Sequence, residues 1–430
     1  MPKDNCAALE SLLKRDYHNI KLNDIFTIQY IQKNTNYPRN INFYLDNYKG
    51  NTIVRAVAYL SNTGCEWSIK TGGCTMCGTK NNRVGRKLSD SEFIAQISEV
   101  KNQIEKYNAS HNPRVQTLHI YNDGMFLNDF EIGENARKYI YRISRELDMK
   151  KLVVETSVNN IMSDNRTDNH LAQGVKDLGE TEFEITLGIE STNPLIRKLY
   201  NKPTPDQDVL KAIDVIKNTG AFPKAYVLVK GPLLTEREAY EDCINTIKTL
   251  LGNDDKKTMR IELQPTCILP NTLHEFLMNI DKSDPYHWEP PLISTVLRII
   301  NEFPKNNGNL YSALFARFDQ ELPWSFWSSR PHDTESTTFP LYKNLVEYYI
   351  TRNFNSISSA LDTYDKGLSQ KRFSKTVPHT LEKRIEAVKK IVGLSKKNNM
   401  FLSDYLKQNL QSQNSKNERN DNFIDACLKL

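Results

Sequence analysis

Residues 52–78, TIVRAVAYLSNTGCEWSIKTGGCTMCG, join a strand-like run directly to a loop that carries three cysteines. The run from Thr52 to Leu60 is rich in β-branched and other apolar residues, which favours a buried β-strand. The loop behind it holds Cys65, Cys74 and Cys77 among several glycines. Packing alone does not require three thiols in such a loop. The stretch therefore indicates both a strand of the fold and a site at its end.

The middle of the chain alternates strand-like and helix-like segments, which is the pattern of a parallel α/β fold. Successive right-handed strand–helix units between residues 51 and 301 predict an α/β fold with a partial (βα)6 TIM-type barrel, since a closed barrel needs eight units. The predicted strands are 52–60, 115–121, 151–156, 182–189, 225–229 and 259–264. The predicted helices are 89–107, 131–147, 169–178, 205–219, 236–251 and one that begins near residue 291.

Four regions are expected along the chain. Residues 1–50 are polar and rich in Tyr and Asn, and we expect them to form an N-terminal segment that covers the barrel. The barrel itself takes residues 51–302, and a mostly helical C-terminal region takes 303–410. The last part, 411–430, begins with QSQNSKNERNDN and is expected to be a loosely attached polar tail.

The composition indicates a soluble globular protein. Hydrophobic residues make up 39% of the 430 residues and charged residues 25%, and no apolar run is long enough for a membrane span. The seven cysteines are an odd number in a large chain, so a disulfide framework is not expected. With no secretory signal pattern at Met1, a reducing cytoplasm fits best. The net charge of +5 is compatible with RNA but does not establish a nucleic-acid surface.

The three loop cysteines are one ligand short of a closed zinc site and one short of a fully ligated iron–sulfur cluster. A [4Fe–4S] cluster held by three thiolates keeps one iron open to a small molecule. The alternative is a zinc site completed by a histidine such as His119. We favour the cluster, because zinc sites usually show a second paired motif and this chain has none. A non-catalytic iron–sulfur electron-transfer protein stays open as a second class of function.

Polar residues follow the predicted strands where each one ends. The carboxyl ends of parallel barrel strands meet at one face, so these residues are expected to converge there. Simple turns and capped strand ends are the alternative explanation for each of them. Among the aromatic residues, Trp288, Trp324, Phe326 and Trp327 are expected to seal the barrel rather than to stack on a ring. The strand-end candidates are Asn122, Asp123, Gly124, Glu155, Ser157, Glu190, Lys230 and Gln264.

With these motifs in place, the sequence resembles a radical S-adenosylmethionine (SAM) enzyme. Within that superfamily it resembles the subgroup of the archaeosine-synthase radical SAM protein and the Elongator catalytic subunit. The resemblance covers residues 51 to 301, with weaker similarity to residue 332. The matching stretches are GGCTMC at 72–77, NDGMFL at 122–127, GIESTN at 188–193, NK at 201–202, KAYVLVK at 224–230 and WEPP at 288–291.

The resemblance implies the roles of the candidate residues. Cys65, Cys74 and Cys77 would each ligate one iron of a [4Fe–4S] cluster, and the fourth iron would bind SAM. An electron from an external flavodoxin- or ferredoxin-type donor would cleave SAM to a 5′-deoxyadenosyl radical, which removes hydrogen from a substrate. The other cofactor-binding residues would be Asn122, Asp123 and Gly124 at the SAM ammonium, Glu155, Ser157 and Glu190 at the ribose or the substrate, and Lys202 at the SAM carboxylate.

The chain departs from the subgroup's pattern where a substrate could be recognised. The segment 330–334 reads RPHDT and lacks the additional cysteines of the archaeosine-type relatives, and 155–158 reads ETSV where they tend to have ESRP. Two substrate classes therefore stay open, a small metabolite or natural-product precursor in a biosynthetic pathway and a modified tRNA nucleoside. The altered motifs and the modest charge favour the small molecule slightly. The sequence does not indicate an oligomeric state.

Overall fold

The computed structural model describes most of the chain between residues 28 and 390. The described residues are 28–29, 35–71, 73–78, 84, 86–163, 165–202, 204–252, 259–269, 272–279, 282, 285–304, 310–312, 330–333, 337–364, 368–387 and 390. Trp324, Phe326, Trp327 and the predicted tail at 411–430 lie outside these ranges.

The described residues form one sheet of nine strands whose spatial order is the order of the chain. Strands β1 and β2 are antiparallel to each other and β2 is antiparallel to β3, whereas β3 to β9 are parallel. The strands are β1 Ile28–Gln29, β2 Asn40–Tyr48, β3 Asn51–Tyr59, β4 Val115–Tyr121, β5 Lys151–Thr156, β6 Glu182–Glu190, β7 Phe222–Val229, β8 Arg260–Pro265 and β9 Leu310–Ser312.

Helices lie between the parallel strands and continue after them. Helix α2 begins with a capping box in which Ser89 and Glu92 bond each other's backbone N–H groups, which fixes its start. The helices are α1 Glu66–Thr71, α2 Asp90–Ser110, α3 Glu134–Glu146, α4 Val158–Ser163, α5 Asn165–Leu178, α6 Pro194–Leu199, α7 Asp206–Asn218, α8 Glu236–Gly252, α9 Leu273–Met278, α10 Ile293–Asn301, α11 Thr338–Thr351, α12 Asn355–Tyr364 and α13 Leu368–Phe373. No helix in the described ranges has the length and apolar character needed to cross a membrane.

Along each strand, successive side chains point to opposite faces of the pleated sheet, and the two faces differ in polarity. One set of side chains, such as Leu118, Ile120, Leu152 and Val154, is fully buried in the main hydrophobic core. The other set is polar and includes the buried Lys224, whose ammonium lies 3.2 Å from Glu184 and 3.1 Å from Glu262. The helices therefore cover an apolar face, and the opposite face of the sheet is charged and hydrogen-bonded.

The predicted partial α/β barrel is confirmed, although a seventh parallel strand, β9, lies in the region predicted as helical, and the short helices α4, α6 and α9 were not predicted. Two further differences concern the start of the sheet and the cysteine loop. Residues 40–48, assigned to the N-terminal cover segment, instead form β2 and extend the sheet. The turn at Lys49 and Gly50 has positive φ at both residues, 51° and 86°, as a two-residue hairpin requires. The second difference is the six-residue helix α1 inside the cysteine loop, where no element was predicted. The boundaries of the predicted regions stay a prediction.

The C-terminal helices pack onto the barrel. Asn47 of β2 donates to the carbonyl of Ile350 at 2.9 Å, and Tyr348 donates to the carbonyl of Leu310 at 2.8 Å. Arg372 of α13 donates to Glu236 at the start of α8 at 3.0 Å. Helix α11 is thus tied to β2 and β9, and α13 is tied to α8.

A buried carboxylate connects helix α8 to the loop after β6. Ser191 donates to Oδ1 of Asp242 at 2.6 Å, whereas Oδ2 is buried without a hydrogen-bond partner in the described part of the chain. Burial raises the pKa of Asp242 to about 7, against the opposing effects of Ser191 and Arg197. Asp242 therefore holds a proton in the folded chain at a pH where it is ionised in the unfolded chain.

This proton makes stability depend on pH. Because the folded pKa of Asp242 is raised, its favourable contribution is fully present below pH 3.8, its ordinary value, and is lost as the pH rises through about 7. In Asp242→Asn the carboxyl group is replaced by an amide that does not titrate, so the variant does not lose stability in this way as the pH rises. We expect the variant to gain up to about 4 kcal/mol of unfolding free energy relative to the wild type between pH 4 and 8. Denaturant unfolding at several pH values measures the difference.

The control is Asp214→Asn, which removes an exposed carboxylate from α7. Its stability curve should run parallel to that of the wild type. A constant difference between Asp242→Asn and the wild type across this pH range would contradict the assignment.

Candidate cofactor-binding site

One cavity of about 1260 Å³ lies at the carboxyl ends of the parallel strands. The loops that follow β3, β4, β5 and β6 all reach it, as the topology of a parallel barrel predicts. Nine of the ten residues predicted as metal- or cofactor-binding line this cavity: Cys65, Cys74, Cys77, Asp123, Gly124, Glu155, Ser157, Glu190 and Lys202.

The loop between β3 and α2 brings the three cysteines to the cavity. Helix α1 begins immediately after Cys65, and Gly73 then turns the chain with a φ of 83° before Cys74. Thr75 fixes the second half of the loop, since its backbone N–H donates to Tyr200 at 3.1 Å and its hydroxyl donates to Leu199 at 2.9 Å. The segment after α6 therefore supports the loop from outside.

Burial keeps two of the thiols protonated when no metal is bound to them. Desolvation raises the pKa of Cys65 and that of Cys74 to about 12, and Lys202 beside Cys74 opposes the change there. In the described part of the chain, no three or more Cys, His, Asp or Glu side chains are grouped to hold one metal ion. A cluster differs from such a site, because each thiolate binds a separate iron.

The loop after β4 is held in a tight conformation. Asp123 has a φ of 53°, in the left-handed region that costs a non-glycine residue roughly 1–2 kcal/mol. Its carboxylate accepts hydrogen bonds from Arg39 and, at 3.2 Å, from Asn62. These contacts fix the carboxylate at the wall of the cavity.

Glu131 is a site residue that the sequence did not reveal. Its buried carboxylate accepts from the backbone N–H of Met125 at 2.6 Å, from Asn122 at 3.2 Å and from the backbone N–H of Glu66 at 2.9 Å. A Cβ on Gly124 would lie 1.8 Å from Oε2, so any larger residue there would displace this carboxylate. Burial raises the pKa of Glu131 to about 7, although these hydrogen bonds oppose the rise. Glu131 thus joins the cysteine loop to the loop after β4.

The loop after β6 contributes an ion pair. Lys202 donates to Oε1 of Glu190 at 2.9 Å, and Glu190 has a φ of 65°. Burial disfavours the charged form of Lys202, but Glu190 and Cys74 outweigh it and raise its pKa. Gly188 leaves room for the pair, since a Cβ there would lie 2.6 Å from the ammonium of Lys202. The result is a fixed cation next to Cys74.

Glu155 and Ser157 reach the cavity from the end of β5. Burial raises the pKa of Glu155 to about 8, and the nearby Asp123 carboxylate adds to the rise. Ser157 lies 3.1 Å from the sulfur of Met125 and accepts from the N–H of Asn160, also at 3.1 Å, near the start of α4. Glu155 is therefore a protonated acid at neutral pH, and the hydroxyl of Ser157 already accepts one hydrogen bond from α4.

Four predicted residues do not line the cavity. Asn122 lies behind it, with its amide on Glu131 and its buried Oδ1 without a partner in the described residues. His119 is buried, its Nδ1 lies 3.1 Å from the hydroxyl of Tyr121, and it does not line the cavity with the cysteines. Lys230 pairs with Glu236 at 2.7 Å, and the indole N–H of the buried Trp288 donates to the carbonyl of Gly231 at 3.0 Å. Gln264, in contrast, does line the cavity.

Comparisons with known proteins found relatives that are similar in sequence to this chain. No protein-family model matches it. It is 30% identical over 186 residues to archaeosine synthase subunit beta of Methanosarcina acetivorans, covering 43% of this chain and half of that protein. It is 25% identical over 261 residues to the subunit of the same name from Thermococcus kodakarensis, covering 59% of this chain and 74% of that protein.

Two further similarities extend the comparison. An uncharacterized protein of Methanocaldococcus jannaschii is 28% identical over 279 residues, covering 64% of this chain and 72% of that protein. Among solved structures, the archaeal Elp3 of Methanocaldococcus infernus is 15% identical, with a TM-score of 0.40, and the match covers 61% of this chain and 59% of that one.

The predicted resemblance to archaeosine synthase subunit beta is confirmed at the level of sequence similarity.

The link through Glu131 can be tested by cofactor loading. Glu131→Ala leaves two buried N–H groups without an acceptor and frees the cysteine loop from the loop after β4. Because outer partners of metal ligands typically affect metal affinity 10- to 100-fold, we expect about 10-fold weaker iron loading or more. Iron and sulfide content after anaerobic reconstitution measures it.

The matched control is Glu134→Gln, which alters an exposed acid three residues further along the chain. It should load iron and sulfide like the wild type. If Glu131→Ala also loads like the wild type, the link does not hold the cysteine loop in place.

Proposed function

We propose that this protein is a radical SAM enzyme that uses a [4Fe–4S] cluster bound by Cys65, Cys74 and Cys77. The observation that carries the proposal is the shared cavity, where three cysteines meet the strand-end residues that the resemblance assigns to SAM. When bound, the cluster and SAM supply reductive cleavage of SAM and a 5′-deoxyadenosyl radical that takes hydrogen from a substrate. The chain's own residues bind and orient these groups and exclude water.

The donor set fits the cluster. Three thiols on one short loop give one ligand to each of three irons and leave the fourth iron open. Binding would require the buried thiols to lose their protons, and a cationic cluster favours that loss. Cofactor loading should therefore release protons.

The polar residues around the thiols fit the groups of SAM. Lys202 offers an ammonium beside Cys74, suited to a carboxylate. Asp123 offers a fixed carboxylate at the cavity wall, which is suited to an ammonium group. Glu155 and Glu190 offer oxygens to hydroxyl groups.

The substrate class is part of the proposal. The relatives named archaeosine synthase subunit beta favour a tRNA nucleoside. The segment ETSV at 155–158, at the cavity wall, and RPHDT at 330–334 differ from the subgroup, and these differences favour a small metabolite. We therefore test tRNA first and keep the small metabolite as the alternative.

A non-catalytic electron-transfer protein is the alternative from a different class. It would carry the cluster but would have no reason to surround it with a cavity of about 1260 Å³. Calorimetric titration with SAM separates the two, since an electron-transfer protein should not bind it.

As an enzyme, the protein requires an external one-electron donor of the flavodoxin or ferredoxin type.

The enzymatic proposal predicts SAM cleavage that depends on the loop cysteines. Anaerobically reconstituted wild type with dithionite should convert SAM to 5′-deoxyadenosine, measured by mass spectrometry. Cys74→Ala should fall to the level of a protein-free reaction, because the cluster loses one of three ligands.

The control is Cys243→Ala, since Cys243 is buried in the hydrophobic core away from the cavity. It should retain cleavage. Cleavage by Cys74→Ala at the wild-type rate would refute the proposed ligand set.

A tRNA substrate predicts binding that depends on salt. Gel shifts with unfractionated tRNA should weaken about 10-fold or more between 50 and 200 mM salt, as phosphate contacts release counterions. Duplex DNA of similar length serves as the competitor and should displace tRNA poorly. Absence of a complex at 50 mM salt would favour the small metabolite.

A further inference from the structure

The cavity is larger than a site for one small ligand. Its volume of about 1260 Å³ exceeds the ~300–1,000 Å³ that single small molecules usually occupy. The residues assigned to the cluster and SAM come from the loops and strand ends. A further set comes from the strands themselves and reaches deeper into the barrel. We call this part the lower compartment; it is lined by Tyr44, Arg55, Tyr59, Tyr121, Tyr226 and Glu262.

The lower compartment is unusually polar for a barrel interior, which branched apolar side chains normally fill. Its floor is closed by ion pairs. The ammonium of Lys224 lies between Glu184 at 3.2 Å and Glu262 at 3.1 Å, and Lys151 lies 3.2 Å from Glu184. These charges neutralise one another, so both lysines already have carboxylate partners.

Arg55 differs from the cations of the floor. It is 9% exposed and lines the cavity, but its nearest carboxylate, on Asp46, is 4.0 Å away. Its Nη1 donates to the hydroxyl of Tyr349 at 2.7 Å, whereas its Nε is buried without a partner in the described residues. A buried donor without an acceptor is costly. An anionic ligand in the lower compartment would give this residue, which lines the cavity, a further charge partner.

The neighbouring groups do not oppose an anion there. Glu262 already accepts from Lys224 at 3.1 Å and from Gln264 at 2.8 Å. Tyr226 donates to Tyr121 at 3.0 Å. Glu155, above the compartment, is protonated at neutral pH because burial raises its pKa to about 8. The hydroxyl groups add donors and acceptors around the guanidinium.

We propose that the lower compartment binds the substrate through an anionic group, a carboxylate or a phosphate, which the guanidinium of Arg55 receives. The inference rests on the proposed function, because the upper part of the cavity is then taken by the cluster and SAM. The tyrosine hydroxyls complete the hydrogen bonds of the polar moiety that carries the anion. Arg55 is thus a specificity-determining residue.

The test measures anion binding without SAM or reductant, so that it does not depend on radical chemistry. Wild type, Arg55→Gln and Tyr349→Phe are titrated calorimetrically with inorganic phosphate and with acetate, against sodium chloride of equal ionic strength. We expect the wild type and Tyr349→Phe to bind one or both anions, and Arg55→Gln to bind at least about 10-fold more weakly. Stronger binding of phosphate indicates a phosphate-bearing substrate, and stronger binding of acetate a carboxylate-bearing one.

Tyr349→Phe is the matched control, because it removes the same hydrogen bond to α11 but keeps the guanidinium. If it loses as much binding as Arg55→Gln, Arg55 only holds the helix and the proposal fails. Binding by Arg55→Gln equal to the wild type, or no binding by the wild type beyond chloride, also overturns it. Formation of 5′-deoxyadenosine by the wild type tests the proposed function separately.

A second measurement applies if Arg55→Gln does not fold, as judged by circular dichroism. Phenylglyoxal modifies accessible guanidinium groups, and peptide mass spectrometry quantifies the label on Arg55 of the wild type. Phosphate or acetate should protect Arg55 relative to chloride. Equal labelling in all three salts overturns the proposal.

Discussion

The carboxylate of Glu131 is the interaction on which the candidate site depends. It accepts one backbone N–H from the start of the cysteine loop and one from the loop after β4, two segments separated by about sixty residues of chain. Buried N–H groups in irregular loops lack the regular partners that helices and strands provide. One acid that serves both loops therefore sets their separation. The position of Cys65 relative to Asp123 follows from a residue that need not touch any cofactor.

Much of the fold could be predicted because its strands carry strong local signals. Val115–Tyr121 and Lys151–Thr156 have the predicted bounds, since each is a β-branched run closed by a polar turn or loop. Strand β2 was missed because NINFYLDNY precedes the βα series and has few aliphatic residues. It belongs to the sheet because the Lys49–Gly50 turn folds it back onto β3, and a turn of two residues is easily overlooked.

The site was predictable to the extent that topology determines it. Asp123 and Glu190 lie at strand ends, and the parallel sheet brings their loops to one cavity. Glu131 could not be found this way, because it lies ten residues beyond the end of β4 and the sequence there indicates only the approach to a helix. Lys230 also ends a strand, but its backbone has a φ of 64° and its side chain pairs with Glu236 instead of reaching the cavity. Side-chain direction at a left-handed residue is a property of local packing, which the strand pattern does not contain.

The sheet keeps the order of the chain, and this has a consequence for how the protein can change. Each loop occupies its own sector around the cavity mouth. Loops that follow one another in the sequence are therefore neighbours around the cavity. The cysteine loop and the loops after β4 and β6 meet through few side chains, such as Glu131 and Asn201. A sector that carries none of these cross-links can diverge while its neighbours keep their shape. The segment after β5 is not such a sector, because Ser157 contacts the sulfur of Met125 and Asn159 accepts a hydrogen bond from Thr204, both at 3.1 Å. A change in this segment would therefore act on the loops after β4 and β6 as well.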